Sequence, residues 1–230
     1  MKRFWKQAAV VAGEGGWSVA LDGRPVRTPA RDLLLLPNPA LAEAVATEWN
    51  LATETVDPRA MPLTGLANAA LDRVAPASDA FATSLANYAA SDLLCYRADS
   101  PTLLVARQAE HWDPLLHWAR RRYDIDFVVT QGVAPVDQPA ATLARLHQAV
   151  AELEPFLLAG LSPLVTVGGS LVAALALLEQ AVDVDTAWAA ISLDEHWQLE
   201  QWGSDAEAEK ALAAREADFR AGDRFLTLLG

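Results

Sequence analysis

The sequence predicts an α+β protein in which a small twisted antiparallel sheet comes first and helices follow. Three observations carry that reading. The first 36 residues read as strands, with side chains alternating over Trp17 to Leu21, the period changes to about 3.6 after Pro37, and the chain from Phe156 to Leu178 carries no charge.

Phe4 to Ala12 reads as a first strand, and Trp17 to Leu21 as a second after the loop Gly13-Glu14-Gly15-Gly16. Asp22-Gly23 follows, a dipeptide favoured in tight primed hairpin turns because both central residues need positive φ. Val26 to Thr28 and Leu33 to Leu36 would extend the sheet, with Pro25, Pro29 and Pro37 at turns and edges. Asn38 is then a helix cap with Pro39 at the first helical position, and Leu41, Val45, Glu48 and Trp49 share one side.

Leu66 to Val74 and Phe81 to Tyr88 mark two further helices. Asp92 to Arg97 reads as a strand or as a last helical turn, and Pro101 opens an amphipathic helix to Tyr123 that Pro114 should kink. Ile125 to Thr130 is expected to return as a strand to the N-terminal sheet, and Gln138-Pro139 to start a helix ending near Leu153. The uncharged stretch is broken by Pro163 and by Gly168-Gly169-Ser170 into two lengths that suit buried core helices rather than a membrane span. A last helix pair runs from Asp185 to Gly222, with Arg224 to Leu229 as a terminal strand. The division expected is a β-rich domain over 1–65, completed by 224–229, and a mainly helical domain over 66–230.

The 230 residues are enough to bury a core without disulfides, and a single cysteine allows no internal one. Lys and Arg number 18 against 30 Asp and Glu, a net charge of −12, which disfavours nucleic acid and anionic membranes and suits a basic partner surface. Hydrophobic residues at 52% and charged ones at 21% describe a folded chain. The start, Met1 to Lys6, is not followed by the uninterrupted apolar stretch that an export signal needs, because Gly13-Glu14-Gly15-Gly16 breaks it.

Several chemistries lack their residues. Gly168-Gly169-Ser170 has neither the lysine nor the leading glycine of a phosphate loop, no serine sits in a nucleophile elbow, and Cys95 lies in an apolar run. His111, His117, His147 and His196 have no zinc-ligand spacing, so neither a metal nor a cofactor is expected.

One constellation stands out. Treated as one helix, Asp185 to Trp202 gathers Trp188, Ile191, Leu199 and Trp202 into a stripe with Glu195 in its middle. A carboxylate aimed at the core needs a cation, and Arg97 or one of Arg120, Arg121 and Arg122 is the expected partner. Leu193 and Trp197 fall on the opposite side, where an exposed Trp197 would anchor a partner and a buried one would belong to the core. Beyond Gly203, Ser204-Asp205-Ala206-Glu207 reads as a capping box, and Asp205 near Glu195 could complete an acidic cleft or an acid/base pair.

Taken in order, Arg3-Phe4-Trp5-Lys6, Leu21 to Pro29, Glu48-Trp49, Met61 to Thr64, Asp92 to Arg97, Trp112-Asp113-Pro114, Gly169-Ser170-Leu171 and Asp194-Glu195-x-x-Gln198-x-x-x-Trp202-Gly203 resemble the ATP synthase F₁ assembly chaperones that handle the α subunit. The resemblance spans nearly the whole chain. It implies two domains, the second an orthogonal helical bundle, and a chaperone that shields the β-facing interface of the unassembled F₁ α subunit without hydrolysing nucleotide. It also implies partner-binding roles for Glu195 and Asp205, beside which the residue pattern sets Trp197. The front departs from mitochondrial members, which carry a targeting extension, so a bacterial cytoplasm is expected, with the mitochondrial matrix for eukaryotic relatives. A small-molecule enzyme using Glu195 and Asp205 and a scaffold for another client are the competing readings. Oligomeric state is left open.

Overall fold

The computed structural model describes residues 2–132, 134–203 and 205–230. The chain forms two compact units, one made of Met1–Ser78, Glu154–Gly160 and Arg224–Gly230, the other of Asp79–Leu153 and Leu161–Asp223.

The first unit is built on four antiparallel strands: β1 (Ala8–Gly13), β2 (Gly16–Leu21), β3 (Arg24–Pro25) and β4 (Leu35–Leu36). β2 is central and pairs with the other three. Asp22 and Gly23 have φ of 47° and 83°, the doubly positive turn that their dipeptide favours. The Asp22 carboxylate also accepts the N–H groups of Lys6 and Gln7 at 2.9 and 3.0 Å, and these bonds hold its pKa below the usual value. At Gly16 a Cβ would lie 2.6 Å from the Leu36 carbonyl oxygen, so only glycine lets β4 approach.

Helix α1 (Pro39–Leu51) starts where the sequence places it, with the Asn38 side chain accepting the Leu41 N–H at 2.9 Å and Pro39 in the first turn. Leu41, Val45 and Trp49 are buried on the sheet-facing side. Glu48, on the same side, reaches the start of α2 (Pro62–Ala69), where its carboxylate accepts the Leu63 and Thr64 N–H groups at 2.8 and 2.7 Å and the Thr64 hydroxyl at 2.7 Å. A carboxylate there satisfies donors that a helix start leaves unpaired and meets the positive end of its dipole. Helix α2 continues as a π-helical turn over Ala70–Val74. The N-terminal motif is equally structural: Arg3 donates to the Asn50 and Ala52 carbonyls at 3.1 and 2.6 Å, and Trp5 donates to the Trp49 carbonyl at 3.2 Å.

Arg224 to Leu229 is helical, not a strand, although it does join the sheet-bearing unit. A short apolar run fits either state, and here Phe225 and Leu226 bury themselves from the end of a long helix whose last carbonyls accept the Asn38 amide. The first unit also runs to Ser78 rather than closing at residue 65.

The second unit contains most of α3 (Ser78–Ala86), a short parallel pair β5 (Tyr96–Arg97) and β6 (Thr130–Gln131), α4 (Thr102–Tyr123), α5 (Ala140–Ala151), most of α6 (Pro155–Gly168), α7 (Leu171–Leu178), α8 (Val184–Ile191), α9 (Leu193–Trp202) and most of α10 (Ala206–Leu229). The segment Asp92–Arg97 is both things its sequence allowed, a 3₁₀ turn and then β5. The uncharged stretch does form two buried helices, but the break falls at Gly169, with φ of 65°, and Ser170, while Pro163 lies inside α6. Leu171 through Leu177 are all buried. Pro114 is likewise inside α4, which continues to Tyr123.

The strand expected over 125–130 does not reach the N-terminal sheet. Only Thr130–Gln131 pair, with Tyr96–Arg97, because the Gln138 side chain takes both backbone groups of Val128 at 2.9 Å. Asp92 is fully buried at the heart of this unit, where one oxygen accepts the Leu94 N–H at 3.1 Å and the other the Val172 N–H at 3.0 Å. Two segments far apart in sequence, Asp92–Arg97 and Gly169–Val172, are joined by the Val172 bond and by the Leu93 N–H, which donates to the Gly169 carbonyl at 3.0 Å. Burial pushes the Asp92 carboxyl up to about 6, against the pull of the Val172 and Ser170 hydrogen bonds.

Candidate functional site

The 185–202 stretch is two helices rather than one. Ser192 separates them: its backbone leaves the helical region at φ −102° and ψ 10°, while its hydroxyl and its N–H both donate to the Trp188 carbonyl, at 2.6 and 3.0 Å. The break resets the helical phase, so the apolar stripe of α8 does not extend along α9. In α9 the buried residues are Leu193 and Trp197, and Leu199 and Trp202 leave the interior.

Glu195 is therefore not aimed at the core. Its side chain is 38% exposed and pairs with Arg215 of α10 at 2.6 Å, while Arg215 also donates to the Val167 carbonyl at 3.0 Å. The cations expected for it are engaged elsewhere: Arg97 with Asp113 at 2.7 Å, Arg120 with Asp126 at 2.6 Å and Arg122 with Glu179 at 2.5 Å. Arg121 makes no salt bridge with Glu195 either, and Arg215 lay outside the candidates because it is 20 residues further on.

Trp197 is 7% exposed, so it belongs to the wall of the fold and not to its free surface. The Arg107 guanidinium from α4 lies 5.0 Å from its ring centre and pairs with Glu200 at 2.7 Å. Gln108, also on α4, donates to Asp194 at 2.8 Å and accepts the Ala98 N–H at 2.8 Å. Burial raises the Asp194 pKa, the Gln108 bond opposes that, and the Glu195 charge adds to it. Asp205 caps α10, accepting the Glu207 and Ala208 N–H groups at 2.7 and 3.2 Å. Ser204, the first residue of the expected capping box, lies outside the described residues. Among the described residues Glu195 and Asp205 share no hydrogen-bonding partner: one pairs with Arg215 and the other caps α10.

The C-terminal end of α9 stands between two clefts. One of about 560 Å³ is lined by Tyr96, Pro101, Leu104, Trp197, Gln201 and Trp202. The other, about 360 Å³, is lined by Glu195, Leu199, Trp202, Leu212 and Arg215. Trp202 lines both and is 79% exposed. Wheel reasoning put this indole in the core. The sequence held a signal against that, since Ser192-x-x-Glu195 has the pattern of a helix start and would have divided the stretch correctly.

The nucleophile and metal inventory is sparse. Burial and the Asp92 charge push the Cys95 thiol up to about 12, which suppresses its thiolate. Among the described residues no three His, Cys, Asp or Glu side chains gather as a metal site, and no helix is long and apolar enough to cross a membrane.

Fold and site define an α+β protein with an antiparallel sheet in its N-terminal part, a helical C-terminal region and an open ridge between two clefts. Residues 2–120 match the model of the ATP12 chaperone protein family, and the chain belongs to that family. The crystal structure of Atp12 from Paracoccus denitrificans is 47% identical, with a TM-score of 0.93 over 99% of this chain and 97% of that one. Atu1473 of Agrobacterium tumefaciens is 40% identical, with a TM-score of 0.94 over 100% of this chain and 86% of that one. Protein atp12, mitochondrial, of Schizosaccharomyces pombe is 25% identical over 215 residues, which are 88% of this chain and 74% of the relative.

Proposed function

We propose that this protein is an assembly chaperone for the F₁ sector of ATP synthase that binds the unassembled α subunit, covers its β-facing surface and consumes no nucleotide. The observation that carries the reading is the likeness to Atp12 of Paracoccus denitrificans over almost the whole chain, at 47% identity. An unassembled subunit of an obligate complex exposes a large apolar interface, so a reversible acidic partner would keep it soluble until its neighbour arrives. The surface at α9 and α10 supports binding better than catalysis, because Glu195 is already paired with an arginine and Asp194 with the Gln108 amide. Glu195 and Asp205 are assigned to partner binding, with Trp197 shaping the cleft wall.

The test is aggregation of the purified F₁ α subunit, followed by light scattering with and without this protein, with no ATP added. Suppression at near-equimolar ratio is expected, together with a co-eluting complex that Glu195→Lys loses. Unchanged scattering and no complex would overturn the reading, and a strict requirement for ATP would overturn its nucleotide-independent part.

A further inference from the structure

We infer that the Trp202 ridge is the docking surface for a basic, apolar-faced segment of the client, whose side chains enter the cleft on each side of the indole. The inference rests on the α-subunit reading above and names where, and by what chemistry, that client is held.

Three features of the ridge converge. Trp202 is 79% exposed, whereas the other seven tryptophans are buried or half-buried. A large indole left in water is the residue type that most often dominates an interface once it is covered. It is also flanked by ready-made apolar walls: Pro101, Leu104 and Trp197 on one side, Leu199, Ala211 and Leu212 on the other. Both volumes fall within the roughly 300–1,000 Å³ typical of sites that receive a ligand group.

The ridge is held in place before anything binds. Arg107–Glu200 and Gln108–Asp194 fasten α9 to α4, and Glu195–Arg215 fastens it to α10. Pre-organisation of this kind spares the ordering entropy that a flexible loop would lose on binding.

Charge selects the partner. Asp205, Glu207 and Glu209 stand at the start of α10, just past the ridge, with no cation within salt-bridge distance among the described residues. The whole chain carries −12. An apolar segment flanked by Lys or Arg gains steering and rim pairing here, and an acidic one is repelled.

Titration with purified F₁ α subunit, read by tryptophan emission and by co-elution, tests the surface. Emission of the wild type should shift to the blue on binding, and that shift should be absent in Trp202→Phe. Trp202→Ala, at an exposed position, should keep its circular dichroism and melting temperature while losing roughly thirtyfold in affinity, the size expected of an interface hot spot. Glu207→Gln with Glu209→Gln should weaken binding several-fold and flatten its salt dependence. If the wild type captures the α subunit and Trp202→Ala captures it equally, the surface is wrong and the client reading stands. If the wild type captures nothing, the client reading fails and takes this surface with it. A concentration-dependent dimer abolished by Trp202→Ala would assign the ridge to a second copy of the chain and overturn the proposal.

Discussion

The helix starts inside the two units and the corner between α9 and α10 use the same residue types to opposite ends. At the starts of α2 and α7, carboxylates from other parts of the chain are spent on backbone N–H groups: Glu48 on Leu63 and Thr64, Asp92 on Val172 while its other oxygen caps its own turn at Leu94. At the α9–α10 corner, carboxylates meet arginines at half-exposed positions, as in Glu195–Arg215 and Glu200–Arg107, or stand in water, and an indole lies open beside them. The interior sites close hydrogen-bond accounts that folding opens, so their removal should be felt by the whole unit. The corner is satisfied yet uncovered, which suits a surface that awaits a partner.

Asp92 gives the largest test of that contrast. Its carboxyl is held near 6, above the ordinary 3.8, so the folded state binds its proton more tightly than the unfolded chain does. The stabilisation from that proton is complete below about pH 4 and is lost as pH rises through 6, worth at most about 3 kcal/mol. Asp92→Asn should be less stable than the wild type at every pH, because an amide presents one acceptor oxygen where two are used. The gap should narrow from pH 4 to pH 7, as only the wild type loses its proton. Urea unfolding across that range measures it, and a constant gap would remove Asp92 from the interior class.

Glu48→Ala comes next. Two backbone donors and a hydroxyl lose their acceptor at a half-buried helix start, and the expected cost is about 2 kcal/mol. Glu48→Gln should recover part of it. A thermal shift no larger than that of a surface substitution would show that water replaces the carboxylate and would blur the distinction between the two regions.

Features set by neighbours in sequence were legible before the structure. The Asp22-Gly23 turn, the Asn38-Pro39 start and the Gly169-Ser170 break each depend on backbone conformations that a few residues dictate. The misreadings share a cause in longer-range competition. The 125–130 strand lost its ladder to the Gln138 side chain, and 224–229 became helix because residues far upstream shape the pocket its phenylalanine fills. At the site, the boundary at Ser192 shifts the helical phase of α9, which leaves Trp202 exposed where one continuous helix would bury it, makes Trp197 the buried of its two alternatives and turns Glu195 from the core toward Arg215.

The smallest effect belongs to Glu195, and it separates the regions most sharply. With both partners of its ion pair near 40% exposed, solvent screens most of the Coulomb attraction, so Glu195→Gln should cost less than about 1 kcal/mol in urea unfolding. Glutamine still accepts from Arg215, and that guanidinium keeps its bond to the Val167 carbonyl, so α9 and α10 should stay in register. A double-mutant cycle with Arg215→Gln should give a coupling that shrinks in high salt. A coupling of several kcal/mol, insensitive to salt, would mean that Glu195 behaves as Asp92 does, an interior carboxylate holding helices together, and the corner would no longer be a surface poised for a client.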